Sequence, residues 1–247
     1  MWFLVAYENM GKTAQNVSLP EGVSLSRVAQ VLLDAWEVGS HQWTDTPLQL
    51  REGPASAAAQ PLPQDAIELF RLLQERNVKY LLVGGLAMLT YVQSRNTKDV
   101  DLLLSVEALE KLPELKIQDR NEFFAKANFR SVQVDLLLTD NPLFKIVEQR
   151  FATKHRFAEF EVPAVTVEGL IVLKLYALPS LYRQFDMDRV ALYENDITML
   201  IARHSPQLEP LFDLVKEHVE TGDVPEIRKL LDECSQRANR LRQRTSS

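Results

Sequence analysis

The stretch Tyr80–Leu104, YLLVGGLAMLTYVQSRNTKDVDLLL, decides how this chain is read: a Gly-Gly pair closes one apolar run, and two aspartates one residue apart open another. Lys79–Val83 and Val100–Leu104 are apolar and β-prone and predict strands. Between them, Leu86–Val92 is apolar enough for a short buried helix. Gly84 and Gly85 then fall at the strand-to-helix junction. There a missing Cβ lets backbone N–H groups approach a phosphate, and a helix N-terminus attracts its charge. A tight turn alone is the simpler explanation of the pair.

The aspartates add chemistry. Strand residues two apart share a face, so Asp99 and Asp101 project together, roughly 6–7 Å apart along the chain. Two such carboxylates can hold Mg²⁺, which takes oxygen ligands and keeps substrate phosphate oxygens in its shell. Their mutual repulsion disfavours bringing them together without a cation. A solvated face of an edge strand is the competing explanation, and the preceding Gly-Gly tips the balance toward a metal pair. In Phe129–Thr139, FRSVQVDLLLT, Val132 and Val134 alternate with Gln133 and Asp135. This predicts a strand with Asp135 on its less apolar face. On a neighbouring strand, Asp135 can deprotonate an attacking hydroxyl and share a second metal, at the spacing of about 3.5–4 Å typical of two-metal sites. An exposed strand residue is the alternative. Asp140, in TDNP, reads as part of a turn.

Lys174 stands out separately. Thr166 is placed to cap a helix with Glu168 in its first turn, which surrounds Lys174 with Leu170, Ile171, Leu175 and Leu178. A lysine in such a stripe either snorkels to water or meets an anion. Arg95 and Thr97, just ahead of Asp99, are candidates for contact with a nucleotide or its phosphates, Arg through bidentate geometry; Thr also serves simply to satisfy backbone.

Taken together, Arg95-Asn96-Thr97-Lys98-Asp99-Val100-Asp101 resembles the Arg-x-Thr-x-Asp-hydrophobic-Asp segment of AbiEii/MenT-like nucleotidyltransferases, the toxin–antitoxin-associated branch of the polymerase-β type. VPAVTVEGLIVLKLYAL, Val162–Leu178, is similar to that family's Val-Pro, Glu and helix-borne Lys block, and Asp196 in ENDITMLIA stands where the family places a helical aspartate. The resemblance spans residues 64–202. It implies an α/β nucleotidyltransferase fold, a mixed β-sheet flanked by helices, with a C-terminal helical region and a small N-terminal appendage. It also implies transfer of a nucleoside monophosphate from a nucleoside triphosphate such as ATP to an acceptor hydroxyl. Asp99, Asp101 and Asp135 would bind Mg²⁺ or Mn²⁺, Gly84 and Gly85 would cradle phosphates, and Lys174 would offset charge beside Asp196. The implied acceptor is the 3′ end of transfer RNA, with a cognate antitoxin protein as partner. Leu86 departs from the serine that many polymerase-β-type enzymes carry after Gly-Gly, which leaves the nucleotide open. Competing readings are a protein or small-molecule acceptor such as an antibiotic, and an inactive module that binds a nucleotide or a partner. Retention of three aspartates speaks against the last, because losing a metal ligand costs a fold little.

Composition sets the bounds. With 247 residues and a net charge of −6, the chain can bury a sizeable core and is not a basic nucleic-acid binder overall. Cys234, the sole cysteine, excludes a disulfide framework and fits a reducing cytoplasm. His41, His155, His204 and His218 lack metal-ligand spacing and suit surface or capping roles. Met1–Ala6 is too short for a signal h-region, and the apolar run over 80–92 is too short to span a membrane. The expected organisation is an appendage over 1–50 with a helix at Leu25–Trp36, a linker over 51–63, a catalytic core over 64–160 and a helical region over 161–247. The core should open on a helix, Asp65–Glu75, with Ile67, Leu69, Phe70 and Leu73 as its apolar stripe. A helix over Leu208–Arg244 should carry Leu211, Leu214, Val215 and His218 on one side. It should end in a basic, solvated Arg237, Arg240, Arg242 and Arg244, a place where RNA phosphates can bind.

Overall fold

The computed structural model describes residues 64–92, 99–157 and 160–245. The helix expected at Leu25–Trp36, the linker, and both Arg95 and Thr97 lie outside those residues. Helix α1 (Gln64–Glu75) buries Ala66, Leu69, Phe70 and Leu73. Ile67 is only half-buried, because the stripe turns one position toward Ala66. After it come β1 (Tyr80–Val83), α2 (Gly84–Leu89), β2 (Val100–Leu104), the single turn α3 (Val106–Leu109), β3 (Lys116–Arg120), β4 (Phe124–Phe129) and β5 (Val132–Leu138). Then follow α4 (Pro142–Arg150), β6 (Ala152–Phe157), β7 (Phe160–Val165), α5 (Val167–Arg183), α6 (Met187–His204), α7 (Glu209–Lys216) and α8 (Val224–Thr245).

The seven strands form one mixed sheet in the order β3-β4-β5-β2-β1-β7-β6. Strand β2 pairs antiparallel with β1 and parallel with β5, and β1 pairs parallel with β7. The result is the α/β architecture expected, a mixed sheet flanked by helices. The strand expected over Phe129–Thr139 is split, since Arg130 adopts φ 52° and turns the chain between β4 and β5. Strand β7 belongs to the sheet, so the helical region begins at Val167, past the boundary expected at residue 160.

Two further expectations are corrected at the C-terminal end. The helix over Leu208–Arg244 is two helices, α7 and α8, broken at the turn that contains Gly222. Leu211, Leu214 and Val215 are buried, and His218 Nδ1 lies 2.9 Å from the Leu214 carbonyl, a capping contact at the end of α7. Arg237 and Arg242 are not a solvated tail. Arg237 donates to Glu194 Oε2 at 2.9 Å, and Arg242 Nε to the Ala202 carbonyl at 2.8 Å, so both fasten α8 to α6. Among the described residues, no helix is long and apolar enough to cross a membrane.

Candidate active site

Strand β2 is buried at Val100, Leu102, Leu103 and Leu104, and only Asp101 is half-exposed. A carboxylate interrupting such a strand needs partners or water. One partner is the Gly-Gly junction itself. Gly85 N–H donates to Asp101 Oδ2 at 3.0 Å, and Gly84 sits at φ 60° with the aspartate packed where its Cβ would be. A Cβ on Gly84 would come within 2.0 Å of Asp101 Oδ2, so only glycine fits. Glycine at this position therefore lets the backbone and the carboxylate meet.

The strand register builds a row across the sheet face. Val83 of β1 is opposite Asp101, Asp101 is opposite Asp135 of β5, and Asp135 is opposite Lys126 of β4. Neighbouring strands are about 4.8 Å apart, so the two half-buried carboxylates stand side by side. Gln133, two residues back on the same strand, donates to Asp135 Oδ1 at 3.1 Å and orients it. Below this polar row lies an apolar one, Leu81, Leu103, Leu137 and Phe124. Asp99 lies one residue ahead of β2 and is half-buried.

Helix α5 crosses above that face. Thr166 Oγ1 accepts from Gly169 N–H at 3.3 Å, the cap expected, and starts a helix buried from Val167 through Leu175 apart from half-exposed Glu168. Lys174 is 4% exposed and does not snorkel to water. Its Nζ meets Asp196 Oδ2 of α6 at 2.8 Å and lies 4.1 Å from the centre of the Tyr193 ring. Tyr193 and Asp196 are three residues apart and share one face of α6, and together they enclose the ammonium.

Gly84, Asp101, Lys174, Tyr193 and Phe124 line one small cavity of about 100 Å³. It adjoins a larger cleft of about 590 Å³, which shares Asp101, Phe124 and Tyr193 and adds Asp135, Lys126 and Arg189. The structure thus brings together Gly84, Gly85, Asp101, Asp135 and Lys174, with Asp196 behind the lysine. Tyr193, Phe124 and Lys126 are lining residues that the sequence did not single out. The three-residue spacing from Asp196 was the available signal for Tyr193. Phe124 and Lys126 acquire meaning only through pairing of β4 with β5.

Among the described residues, no group of three His, Cys, Asp or Glu side chains is gathered as a metal centre. Asp101 and Asp135, hard oxygen donors on adjacent strands, nevertheless fit one edge of a Mg²⁺ coordination shell that substrate oxygens would complete.

No family model matches the sequence, and no curated relative does. Solved structures similar to it include nucleotidyltransferases and a nucleotidyltransferase-like protein. ANT(2″)-Ia, in complex with adenylyl-2″-tobramycin, is 15% identical, with 63% of this chain and 96% of that chain covered and a TM-score of 0.48. A nucleotidyltransferase-like protein from Paracoccidioides brasiliensis is 16% identical over 68% of this chain and 91% of its own, with a TM-score of 0.41. The lincosamide antibiotic adenylyltransferase LnuA, with lincomycin bound, is 16% identical over 45% and 85%, with a TM-score of 0.36. At such identities the reading of the site rests on its own residues.

Proposed function

We propose that this chain is a metal-dependent nucleotidyltransferase. The observation that carries the reading is the in-register pair Asp101 and Asp135 at a cleft, with the Gly84-Gly85 backbone against the first of them. The acceptor hydroxyl gives its proton to the Asp135 carboxylate as its oxygen attacks the α-phosphorus of a nucleoside triphosphate. The new O–P bond forms, the bond between the α-phosphorus and its bridging oxygen to the β-phosphate breaks, and pyrophosphate leaves with the electron pair. The Gly84-Gly85 turn lets the phosphates approach the backbone closely while the Gly85 N–H holds Asp101 in place, and Arg95 and Thr97 contact the nucleotide. Lys174, paired with Asp196, stabilises the negative charge that moves onto the leaving oxygens. Mg²⁺ or Mn²⁺, held by Asp99, Asp101 and Asp135, would supply Lewis-acid charge to the phosphate oxygens.

The test is incubation of purified protein with Mg²⁺, each labelled nucleoside triphosphate and three acceptor pools in parallel: total transfer RNA, protein extract and amino-sugar antibiotics. Transfer RNA is the acceptor the family resemblance implies. Label in any pool, abolished by Asp101→Ala and by Asp135→Ala in variants that melt like the parent, is the expected result. Full transfer by either variant would overturn the assignment.

A further inference from the structure

The row that carries the two aspartates continues beyond them, and what stands there bears on the acceptor. The phosphate-holding glycines are at the β1 end, followed by Asp101 on β2, Asp135 on β5 and Lys126 on β4. If Asp135 takes the acceptor's proton, the acceptor lies on the far side of Asp135 from Gly84, and that side is β4. Two side chains project there from the same strand face into the cleft. Phe124 is 42% exposed although β4 is paired on both sides, with the Phe144 ring in T-shaped contact at 5.3 Å between centroids and Leu137 its cross-strand neighbour. Lys126 is exposed and forms no ion pair among the described residues, although Asp119 and Asp135 are its cross-strand neighbours. The other cations of the cleft are already engaged: Arg183 with Asp223 at 2.9 Å, and Arg189 with Asp186 at 3.8 Å.

We propose that Phe124 and Lys126 are the specificity-determining residues of the acceptor subsite, and that they select an acceptor carrying an aromatic ring and a phosphate over a polycationic one. The proposal rests on the nucleotidyl-transfer reading. An exposed aromatic face beside an uncommitted cation is the pairing that holds single-stranded nucleotides, the ring by stacking and the phosphate by charge. Of the carboxylates lining the cleft, Asp101 and Asp135 would hold the metal, Asp223 is paired with Arg183 and Glu220 remains, so that on the β4 side a cationic amino sugar would meet like charge at Lys126.

Binding of the acceptor without any nucleoside triphosphate present separates this proposal from the reaction. Fluorescence anisotropy of a short, 5′-labelled oligoribonucleotide with a free 3′ hydroxyl is measured across a salt series. Lys126→Glu is expected to weaken binding about tenfold and to reduce the slope of log K against log salt by about one, while Lys126→Arg restores both. Phe124→Ala is expected to weaken binding by roughly tenfold with the slope unchanged, and Phe124→Tyr to retain it. A purely structural role would lower the melting temperature and leave the salt slope alone. Unchanged oligoribonucleotide binding in Lys126→Glu, or binding of an amino sugar but not the oligoribonucleotide by the parent protein, would overturn the proposal. Magnesium-dependent binding of labelled nucleoside triphosphate, followed in parallel, reports separately on the nucleotidyl-transfer reading.

Discussion

The two charged groupings of this site, the aspartate row on the sheet and the lysine–aspartate pair between α5 and α6, are built on opposite principles. Asp101 and Asp135 are half-exposed at the cleft, and their partners include a backbone N–H and a glutamine amide. Lys174 and Asp196 are each 4% exposed and neutralise one another at 2.8 Å. Water and incoming ligands can satisfy the first grouping; only the fold can satisfy the second. The difference teaches that the aspartate row can serve the proposed chemistry while contributing little to the fold, whereas the buried pair must serve both, and that substitutions should separate the two cases.

The most disruptive change is expected at the pair. Lys174→Met leaves Asp196 buried without its cation, which should destabilise the protein by about 3–5 kcal/mol in denaturant unfolding. Replacing both, Lys174→Met with Asp196→Leu, should recover most of that loss because packed apolar side chains substitute well for a buried ion pair. Transfer should stay abolished in the recovered variant. Activity surviving there would make the pair a structural element alone and collapse the comparison.

Next in size is Gly84→Ala. The left-handed backbone alone costs an alanine about 1–2 kcal/mol, and the new methyl must also displace Asp101. Stability and transfer should therefore fall together here, because this glycine belongs to both regimes. By contrast, Asp101→Asn and Asp135→Asn should shift stability by no more than about 0.5 kcal/mol, since each amide keeps an oxygen for its donor. Transfer by both should be abolished. A large loss of stability in either would show that the row is structural after all.

These contrasts also mark what could be read from the chain before it was folded. Asp135 and its strand were legible because alternation announces a polar residue on an otherwise buried strand, and Asp101 because a carboxylate interrupts an apolar run that follows Gly-Gly. The Gly-Gly junction was legible because few other residues tolerate its backbone. Register was not. β2 and β5 lie side by side only after α3, β3 and β4 intervene, and no local pattern encodes that crossover. Lys126 became interesting only once it stood opposite Asp135. Arg237 and Arg242 looked like a basic tail because arginines that bind carbonyls and carboxylates of a neighbouring helix have the same spacing as arginines in water.

The smallest effect concerns the tether behind the glycine helix. Tyr91, just past α2, donates its hydroxyl hydrogen to the Val165 carbonyl at 2.9 Å, so His155, whose Nε2 is 2.8 Å from the Tyr91 hydroxyl oxygen, must itself donate to that oxygen. Burial lowers the His155 pKa from its usual 6.5. A depressed base takes up its proton first in the unfolded chain, so stability is complete above about pH 6.5 and is lost as pH falls toward the lower folded value. Asp65 and Glu114, held below the usual carboxylate range by Ser131 and Arg76, respond in a more acidic window, so the two slopes separate. Denaturant midpoints measured between about pH 7.5 and pH 5.5 should fall for the parent protein and flatten in His155→Gln, which keeps a donor for Tyr91 but cannot titrate. An equally steep decline in His155→Gln would move the acid sensitivity elsewhere. If the glutamine variant also transferred nucleotide as the parent does, the tether would belong with the structural side of the comparison, although it sits at the end of the very helix that begins with Gly84 and Gly85.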